Sequence, residues 1–142
     1  MELKITLDTG SFLPERAHRD DAGADLRTPM RTVVRRHDSA VIDTGVHIEI
    51  PSGYAGFLKS KSGLNVNHGI ISDGTIDAGY TGSIKVKLYN LSDEDYIFEA
   101  GDKITQIVIE KVELPTFKEV KEFSAPAKKS ARGSKGFGST GK

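Results

Sequence analysis

Apolar and polar residues alternate with a period of two along much of this chain. The alternation is strict in residues 3–7, 46–50 and 84–88. Because successive side chains of a β-strand point to opposite faces of a sheet, this period predicts strands with one buried face and one exposed face. Five further runs rich in β-branched and aromatic residues also predict strands: residues 32–34, 40–43, 55–59, 96–99 and 104–112.

Turn residues separate these runs. Glycine follows Ser, Asp, Ala or Thr in five segments, which are residues 51–53, 73–74, 78–79, 81–82 and 100–102. Many short strands at this spacing predict an all-β fold, either a sandwich or a jelly-roll-like β-barrel. A single short helix is expected around residues 60–68, with Ser62 as its candidate N-cap.

The C-terminal end has a different composition. Residues 124–132 have the character of a flexible tether, and residues 132–142 contain glycines, small hydroxyls, cations and one aromatic ring, Phe137. Bare N–H groups, hydroxyls and positive charge suit a phosphate chain, and a ring suits a flat base. We therefore divide the chain into a β-strand domain, residues 1–123, and a flexible tether with a glycine-rich lid for a nucleotide, residues 124–142.

Composition narrows the class of protein further. The chain has 142 residues, enough for one domain with a core, and its formal net charge of zero argues against a general polyanion binder. It contains no cysteine, which excludes disulfides and thiolate metal sites. Without a long apolar run or a secretion signal, we expect a cytoplasmic protein with no membrane partner. The histidines show no metal-ligand spacing and are expected at the surface or in turns: His18, His37, His47 and His68.

Two segments in the first half of the chain carry candidate chemistry. Residues 21–26 set Asp25 among small residues. Its carboxylate either faces a hydrated cation or accepts backbone hydrogen bonds in a turn, and the segment alone favours the turn. Residues 59–64 follow a predicted strand and begin the predicted helix. They form either a pyrophosphate cradle or an ordinary N-cap beside a solvated face.

Two further segments lie in the second half. Residues 74–82 predict a β-hairpin that carries Asp77 and Tyr80. A carboxylate beside a phosphate chain can orient and deprotonate a water, and a ring against a sugar can exclude a 2′-hydroxyl. The alternative is that Asp77 forms the turn and Tyr80 lies at the edge of the core. Gln106 interrupts the apolar run 104–112, and its amide bonds either the main chain across a sheet or a substrate oxygen.

Taken together and in this order, these segments resemble the five motifs of the trimeric dUTP pyrophosphatases (dUTPases). The matching segments are residues 21–26, 51–56 with 61–64, 74–80, 101–106 and 132–141. The resemblance implies a jelly-roll β-barrel assembled as a homotrimer, with active sites shared between subunits and each tail closing over a neighbour's site. It implies hydrolysis of dUTP to dUMP and pyrophosphate by attack of water at the α-phosphate. That reaction limits uracil incorporation into DNA and supplies dUMP for dTMP synthesis.

The resemblance also implies roles around the reacting atoms. Asp77 would hold the attacking water and bond the sugar 3′-hydroxyl, and Gln106 would contact the α-phosphate and help to place the water. Tyr80 would stack beneath the deoxyribose and reject ribose. Asp25 would hold Mg²⁺ through its water shell, because this ion keeps several waters and sits mainly on the substrate phosphates.

The remaining implied contacts bind the nucleotide. Lys61, Ser62 and Gly63 would bind the phosphates. Main-chain groups of Thr75, Ile76 and Asp77, together with Lys85, would read uracil and leave no room for the methyl group of thymine. Six tail residues would close over the nucleotide, with the ring over uracil and the polar groups at the γ-phosphate: Arg132, Gly136, Phe137, Gly138, Ser139 and Thr140.

Three features depart from the usual pattern of that family. Lys61 stands where arginine is common, so a point charge replaces a bidentate fork. Lys135 interrupts the glycine run of the tail. The connection from Ser62 to Asp77 is short, and an amide often found there near the α-phosphate has no counterpart, which leaves Ser72 as the nearest polar candidate.

Other functions remain open at this point. A dCTP deaminase of the same superfamily needs a further acid/base carboxylate at the C4 amino group, and residues 74–82 offer Asp77 alone. A non-catalytic nucleic-acid-binding module could use the Arg/Gly/Phe tail. Zero net charge and one aromatic ring in that tail argue against such a module, so no nucleic-acid partner is expected. Some dUTPases also bind regulatory proteins, and nothing in this sequence indicates such a partner.

Overall fold

The structure is a computed structural model that describes residues 1–124 and 133–134. Over these residues it contains ten β-strands and one α-helix. In chain order they are β1 (Ile5–Leu7), β2 (Gly23–Arg27), β3 (Thr32–Val34), β4 (Ser39–Asp43), β5 (Val46–Ile48), β6 (Tyr54–Lys59), α1 (Ser62–His68), β7 (Ile70–Ile76), β8 (Lys85–Asn90), β9 (Tyr96–Phe98) and β10 (Lys103–Lys111).

The strands form antiparallel sheets whose neighbours are mostly distant in sequence. A six-stranded sheet has the order β2-β10-β6-β7-β8-β4, and β1-β5 and β3-β9 form two smaller sheets. Strand β10 lies between β2 and β6, with Gln106 opposite Asp25 on one side and Lys59 on the other. The predicted all-β, jelly-roll-like fold is confirmed.

The core is built from the period-two faces that the sequence predicts. In β8, Val86 and Leu88 are buried while Lys85 and Lys87 are exposed. Burying one such apolar side chain stabilises the fold by about 1.5–3 kcal/mol, so these faces dominate the packing energy. The other buried apolar residues include Leu26, Val34, Ile42, Val46, Ile48, Leu58, Ile70, Ile84, Phe98, Ile104 and Ile107.

Strand β7 changes its partner halfway along, which corrects the predicted hairpin at residues 74–82. Its first residues pair with β8, from Ile70 opposite Asn90 to Ser72 opposite Leu88. Its later residues, Asp73 to Ile76, pair instead with β6. The strands on either side of the loop at residues 77–84 therefore diverge before they reach it, and the hairpin prediction is wrong in this respect.

Two other local predictions are also wrong. Residues 23–27 form strand β2 rather than a turn, because pairing with β10 supplies the hydrogen bonds that a turn would have provided. Helix α1 is present, but its N-cap is Lys61 rather than Ser62, and no side chain caps it. The helix ends at Gly69, whose left-handed conformation (φ 63°) favours glycine.

Candidate active site

The candidate residues fall into two clusters at opposite ends of the β6–β7 pair. The helix-end cluster consists of Asp25, Lys61, Ser62, Gly63 and Gln106. It lies where β6 ends and α1 begins. The loop-end cluster consists of Thr75, Ile76, Asp77, Tyr80 and Lys85, at the end of β7, in the loop that follows and at the start of β8.

Asp25 is the buried centre of the helix-end cluster. The residue lies in β2 and is 5% exposed. Its carboxylate accepts hydrogen bonds from two lysine ammonium groups. Lys103 Nζ lies 2.7 Å from Oδ2, and Lys61 Nζ bonds Oδ1. Burial raises the pKa of the Asp25 carboxyl, but the hydrogen bonds and charges of Lys103 and Lys61 outweigh it and hold the pKa below its ordinary value of 3.8.

We expect Asp25→Ala to destabilise the protein by about 3 kcal/mol, because it leaves two partly buried ammonium groups without their counter-ion. Because folding lowers the pKa of the Asp25 carboxyl, this stabilisation is fully present at a pH above the pKa of the unfolded state. It is lost as the pH falls through the pKa of the folded state. Urea unfolding at neutral pH and in acid, at one protein concentration, measures both effects.

Asp73→Ala is the matched control for this prediction. Asp73 also pairs with a lysine of a neighbouring strand, Lys59, but at 3.8 Å and with an 86% exposed side chain. Exposed pairs contribute about 0–1 kcal/mol. Equal losses in the two variants would contradict the importance of the buried pair.

Gln106 is half-buried beside Asp25. Its Nε2 donates to the Ser60 carbonyl at 3.3 Å, so in this structure it bonds the main chain across the sheet. Its amide oxygen lies against Gly23, where a β-carbon would come within 2.3 Å of it. Glycine at that position therefore lets the amide lie over β2.

The start of α1 presents main-chain donors. The first helical hydrogen bond runs from Asn65 N to the Lys61 carbonyl at 2.9 Å. The N–H groups of Ser62 and Gly63 therefore have no acceptor within the helix. Both residues are exposed. Open space surrounds Gly63.

Ser72 lies beneath this cluster rather than in it. It is 6% exposed, and its hydroxyl lies 2.7 Å from that of Thr105. Because Thr105 donates its hydrogen to the Lys59 carbonyl at 2.9 Å, Ser72 must donate to Thr105. The Ser60 hydroxyl also bonds the Ser72 main chain. The Ser72 side chain is thus committed to an internal network.

The loop-end cluster is exposed and shaped by a tight turn. Tyr80 N donates to the Asp77 carbonyl at 3.2 Å, and Gly79 N donates to the Ile50 carbonyl at 3.3 Å. Gly79 has φ +81°, a conformation that favours glycine. Within the described part of the chain, the Asp77 carboxylate has no hydrogen-bond partner. The side chain of Asp77 is therefore not used to form the turn.

Tyr80 belongs to the surface and not to the core edge. It is 45% exposed, and its hydroxyl donates to the Ser83 carbonyl at 3.0 Å. Gly82 lies under the ring, where a β-carbon would come within 2.4 Å of the hydroxyl oxygen. The ring therefore lies against its own loop at Gly82 and remains partly exposed.

Strands β7 and β8 do not pair with each other at the same end. Beyond Ser72, β7 pairs with β6 only, and β8 pairs at Lys85 and Lys87 with β4. The edges that these two strands turn toward each other carry no ladder bonds. A gap with free main-chain donors and acceptors thus opens next to Thr75, Ile76 and Lys85.

The two clusters of one chain do not meet. In the β6–β7 ladder Lys59 faces Asp73, and Gly56 faces Ile76. Asp77 is one residue further on, so it lies four residues along the strands from the level of Lys59 and Gln106. At about 3.3 Å per residue this separation is about 13 Å. One copy of the chain does not bring Asp77 and Gln106 to one water.

The tail prediction falls mostly outside the described residues. Arg132, Gly136, Phe137, Gly138, Ser139 and Thr140 lie outside them, as does Lys135. Gly133 and Ser134 are described and are exposed.

Sequence reasoning missed two participants in these clusters. The segment 101–106 gives no role to Lys103, and only the β2–β10 pairing brings it to Asp25. The sequence predicts His47 only at the surface or in a turn, yet it lies in β5 and its ring bonds the Thr81 carbonyl of the loop. Both contacts join residues far apart in sequence, so no local pattern indicates them.

Among the residues that the structure describes, no helix has the length and the apolar character of a membrane span.

Comparison with known proteins identifies the class to which this antiparallel fold belongs. The dUTPase family model matches residues 11–141. The chain is 45% identical over 139 residues to the deoxyuridine 5′-triphosphate nucleotidohydrolase of Thermobifida fusca, covering 95% of this chain and 75% of the relative. It is 43% identical over 142 residues to the protein of that name from Corynebacterium glutamicum, covering 97% and 93%.

Solved structures agree with this assignment. A mutant dUTPase of Staphylococcus bacteriophage 80alpha with dUpNHpp superimposes with a TM-score of 0.87 at 32% identity, covering 99% of this chain and 98% of that one. A mutant dUTPase from phage phi11 of S. aureus, described with a structural Mg(II) ion, has a TM-score of 0.81 at 31% identity, covering 88% and 100%. The chain belongs to the dUTPase family.

Proposed function

We propose that this protein hydrolyses dUTP to dUMP and pyrophosphate. Water attacks the α-phosphorus, the bond from that phosphorus to the oxygen bridging to the β-phosphate breaks, and pyrophosphate leaves with that oxygen. The proton of the water passes to a carboxylate. The observation that carries the proposal is the gap between β7 and β8, with its unpaired main chain, next to the unpartnered carboxylate of Asp77.

The gap suits uracil. A pyrimidine edge presents two acceptors with a donor between them, and the main-chain N–H and carbonyl of Thr75, which point away from β6, supply complementary groups. Lys85 lies at the start of the facing strand. The partly exposed ring of Tyr80 lies under the deoxyribose and leaves no space for a 2′-hydroxyl.

The Asp77 carboxylate is the general base. A base must lie within hydrogen-bond reach of the water it deprotonates, and this carboxylate is exposed and engaged by no described residue. Gln106 places the same water against the α-phosphate. Lys61 and the N–H groups of Ser62 and Gly63 neutralise and orient the phosphates, and most of the acceleration comes from such positioning. Ser72 has no part in substrate binding, because its hydroxyl is buried and bonded to Thr105.

The active form is a homotrimer with shared sites. Asp77 and Gln106 must reach one water, but within one chain about 13 Å separates their levels along the strands. A site that unites them needs the loop-end cluster of one copy and the helix-end cluster of another. Residues 112–124, which follow β10 without a strand or helix, also carry exposed apolar side chains that a neighbouring copy would cover: Leu114 at 71%, Phe117 at 96% and Phe123 at 75%. A closed ring of copies satisfies every such contact.

The metal enters with the substrate. Among the described residues no group of three or more His, Cys, Asp or Glu side chains could hold a metal ion. Both Asp25 oxygens already accept from ammonium groups, and those two cations would repel a divalent ion. These residues do not fit a resident metal, so we assign Mg²⁺ to the triphosphate of the substrate and give Asp25 no part in holding it.

Residues 124–142 act as tether and lid on the barrel of residues 1–123. Glycines, hydroxyls and cations in the lid suit the γ-phosphate end, and Phe137 suits the face of uracil. A lid that orders on substrate excludes water during the reaction and adds positive charge where negative charge develops.

A substrate panel tests the proposed function. Release of pyrophosphate from dUTP, dTTP, dCTP and UTP is measured with and without Mg²⁺, and release of ammonia from dCTP is measured in parallel. We expect turnover of dUTP alone, stimulated by Mg²⁺. Ammonia from dCTP would show a deaminase, and equal hydrolysis of UTP and dUTP would contradict the role of Tyr80.

A further inference from the structure

His47 connects the loop at residues 77–84 to the two-stranded sheet of β1 and β5. It lies in β5, opposite Thr6 of β1. Its Nδ1 is 2.8 Å from the Thr81 carbonyl oxygen, and its Nε2 is 3.2 Å from Asp8 Oδ1. A carbonyl and a carboxylate both only accept hydrogen bonds, so both ring nitrogens must donate. Only the charged imidazolium can do so.

The groups that face His47 favour this charge. The hydrogen bond to the Thr81 carbonyl raises the pKa of His47, burial works against it, and the carboxylates of Asp8 and Asp43 add to the rise, so that the pKa lies above its ordinary value of 6.5. Nearby, Lys4, just before β1, pairs with Glu49, just after β5, at 3.4 Å. Lys85 lies close enough to Asp43 to lower the pKa of that carboxyl.

Thr81 is well placed to control the candidate site. It follows Tyr80 directly, and Gly79 and Gly82 lie on either side of this pair. The second half of the loop is held at Ser83, whose hydroxyl bonds Asp43, and at Ile84, whose N–H donates to the Val46 carbonyl at 2.9 Å. The His47 bond lies between these anchors and Tyr80.

We propose that His47 is a positioning residue for the active-site loop: as an imidazolium it ties the Thr81 carbonyl to Asp8 and so holds Tyr80 and Asp77 in place. The inference rests on the proposed function for its effect on turnover, but the contact itself does not. A cavity of about 370 Å³ lined by His47, Thr6, Lys4, Ile48, Glu49 and Thr81 gives water access to the ring, so the proton can be exchanged without unfolding.

The tie is lost as the pH rises. Below the raised pKa of His47, its ring donates hydrogen bonds to both the Thr81 carbonyl and the Asp8 carboxylate. Above this pKa one ring nitrogen has lost its hydrogen, so its lone pair faces an oxygen acceptor and repulsion replaces that hydrogen bond. Substrate must then select the tied form of the loop from a mixture. Its apparent affinity falls in proportion to the tied fraction, so KM rises with pH from about 6.5 upward while kcat at saturation changes little.

Three variants test this role. We expect His47→Ala to raise KM for dUTP about three- to tenfold at pH 6.5, which corresponds to the net contribution of one ordinary hydrogen bond, with kcat within about twofold. His47→Arg keeps donors and charge at every pH, so it should retain the low KM without the rise. Since titration of the substrate phosphate affects both proteins, the ratio of wild-type to His47→Arg KM isolates the loop. His37→Asn, which breaks a His–Asp pair at 2.8 Å elsewhere, should change neither constant.

Two measurements do not depend on turnover. NMR of the wild-type ring should show His47 titrating above its ordinary value, and amide exchange of residues 80–84 should be faster in His47→Ala than in wild type and slow in His47→Arg. Unchanged exchange in His47→Ala, or a wild-type KM that follows that of His47→Arg at every pH, would overturn the inference. If the wild-type protein does not hydrolyse dUTP, the proposed function is wrong. The ring titration and the amide exchange would still show whether His47 links the Thr81 carbonyl to Asp8.

Discussion

Asp77→Asn should abolish release of pyrophosphate from dUTP while leaving nucleotide binding nearly unchanged. The amide has the shape of the carboxylate but does not accept the proton of the attacking water. A positioned general base contributes about 10²–10⁴-fold to the rate, so turnover should fall by at least that factor. The fold should not suffer, because the carboxylate has no partner in the described part of the chain. Pyrophosphate release measures the first effect, and calorimetric titration with a non-hydrolysable analogue measures the second.

Asp73→Asn is the matched control for this change. Asp73 lies four residues earlier on β7, and its side chain is 86% exposed and pairs with Lys59 at 3.8 Å. The same substitution there should leave kcat and KM unchanged. Full activity in Asp77→Asn would remove the general base from the mechanism, and lost binding would show that Asp77 acts mainly through the sugar.

Deletion of residues 131–142 should leave a folded trimer whose turnover is lower by several orders of magnitude. The loss of ordering groups and of positive charge at the phosphates removes both positioning and neutralisation, and we expect a reduction of about 10²–10⁴-fold. Circular dichroism and light scattering check the fold and the assembly, and single-turnover kinetics measures the chemical step. A full-length chain with Arg132, Ser139 and Thr140 changed to Ala keeps the tail but removes its proposed phosphate-binding side chains. Its turnover shows how much of the effect depends on these side chains. Normal turnover of the truncated chain would remove the lid from the mechanism.

Mixed trimers test whether the lid reaches a neighbour's site. The truncated chain keeps Asp77, and the Asp77→Asn chain keeps the tail. If one subunit supplies the carboxylate and another the lid, refolding the two inactive proteins together restores activity in a fraction of sites. If each tail serves the subunit that supplies Asp77, mixing restores nothing. The result is independent of how far each single variant is impaired.

The local pattern of apolar and polar residues predicted most strands correctly. The period of two in residues 84–88 predicted β8, and the long run 104–112 predicted β10 to within one residue at each end. It failed at β2, because Gly23, Ala24 and Asp25 have low strand propensity and become a strand only by pairing with β10. Most of β7 was missed for a similar reason, since Ser72, Asp73 and Gly74 belong to turns as often as to strands.

The candidate residues were likewise named from motifs without their surroundings. Asp77 and Tyr80 lie within four residues, so the sequence alone places them on one loop. The partners of Asp25 could not be foreseen, because Lys61 follows β6 and Lys103 begins β10. Polarity makes Ser72 a candidate contact, but the structure buries its hydroxyl against that of Thr105. Polarity by itself does not tell a substrate contact from an internal hydrogen bond.

By itself, the sequence determined the all-β class, the order of the five motifs and the residue types that suit a nucleotide, since these depend on side-chain period and on chemistry close together in the chain. Only the tertiary structure decided which groups meet. Antiparallel pairing of distant strands buries Asp25 between two lysines, opens the gap between β7 and β8, and sets Asp77 about 13 Å along the strands from the level of Gln106. Those distances depend on strand register, which is fixed by packing over the whole sheet and not by any local run of residues.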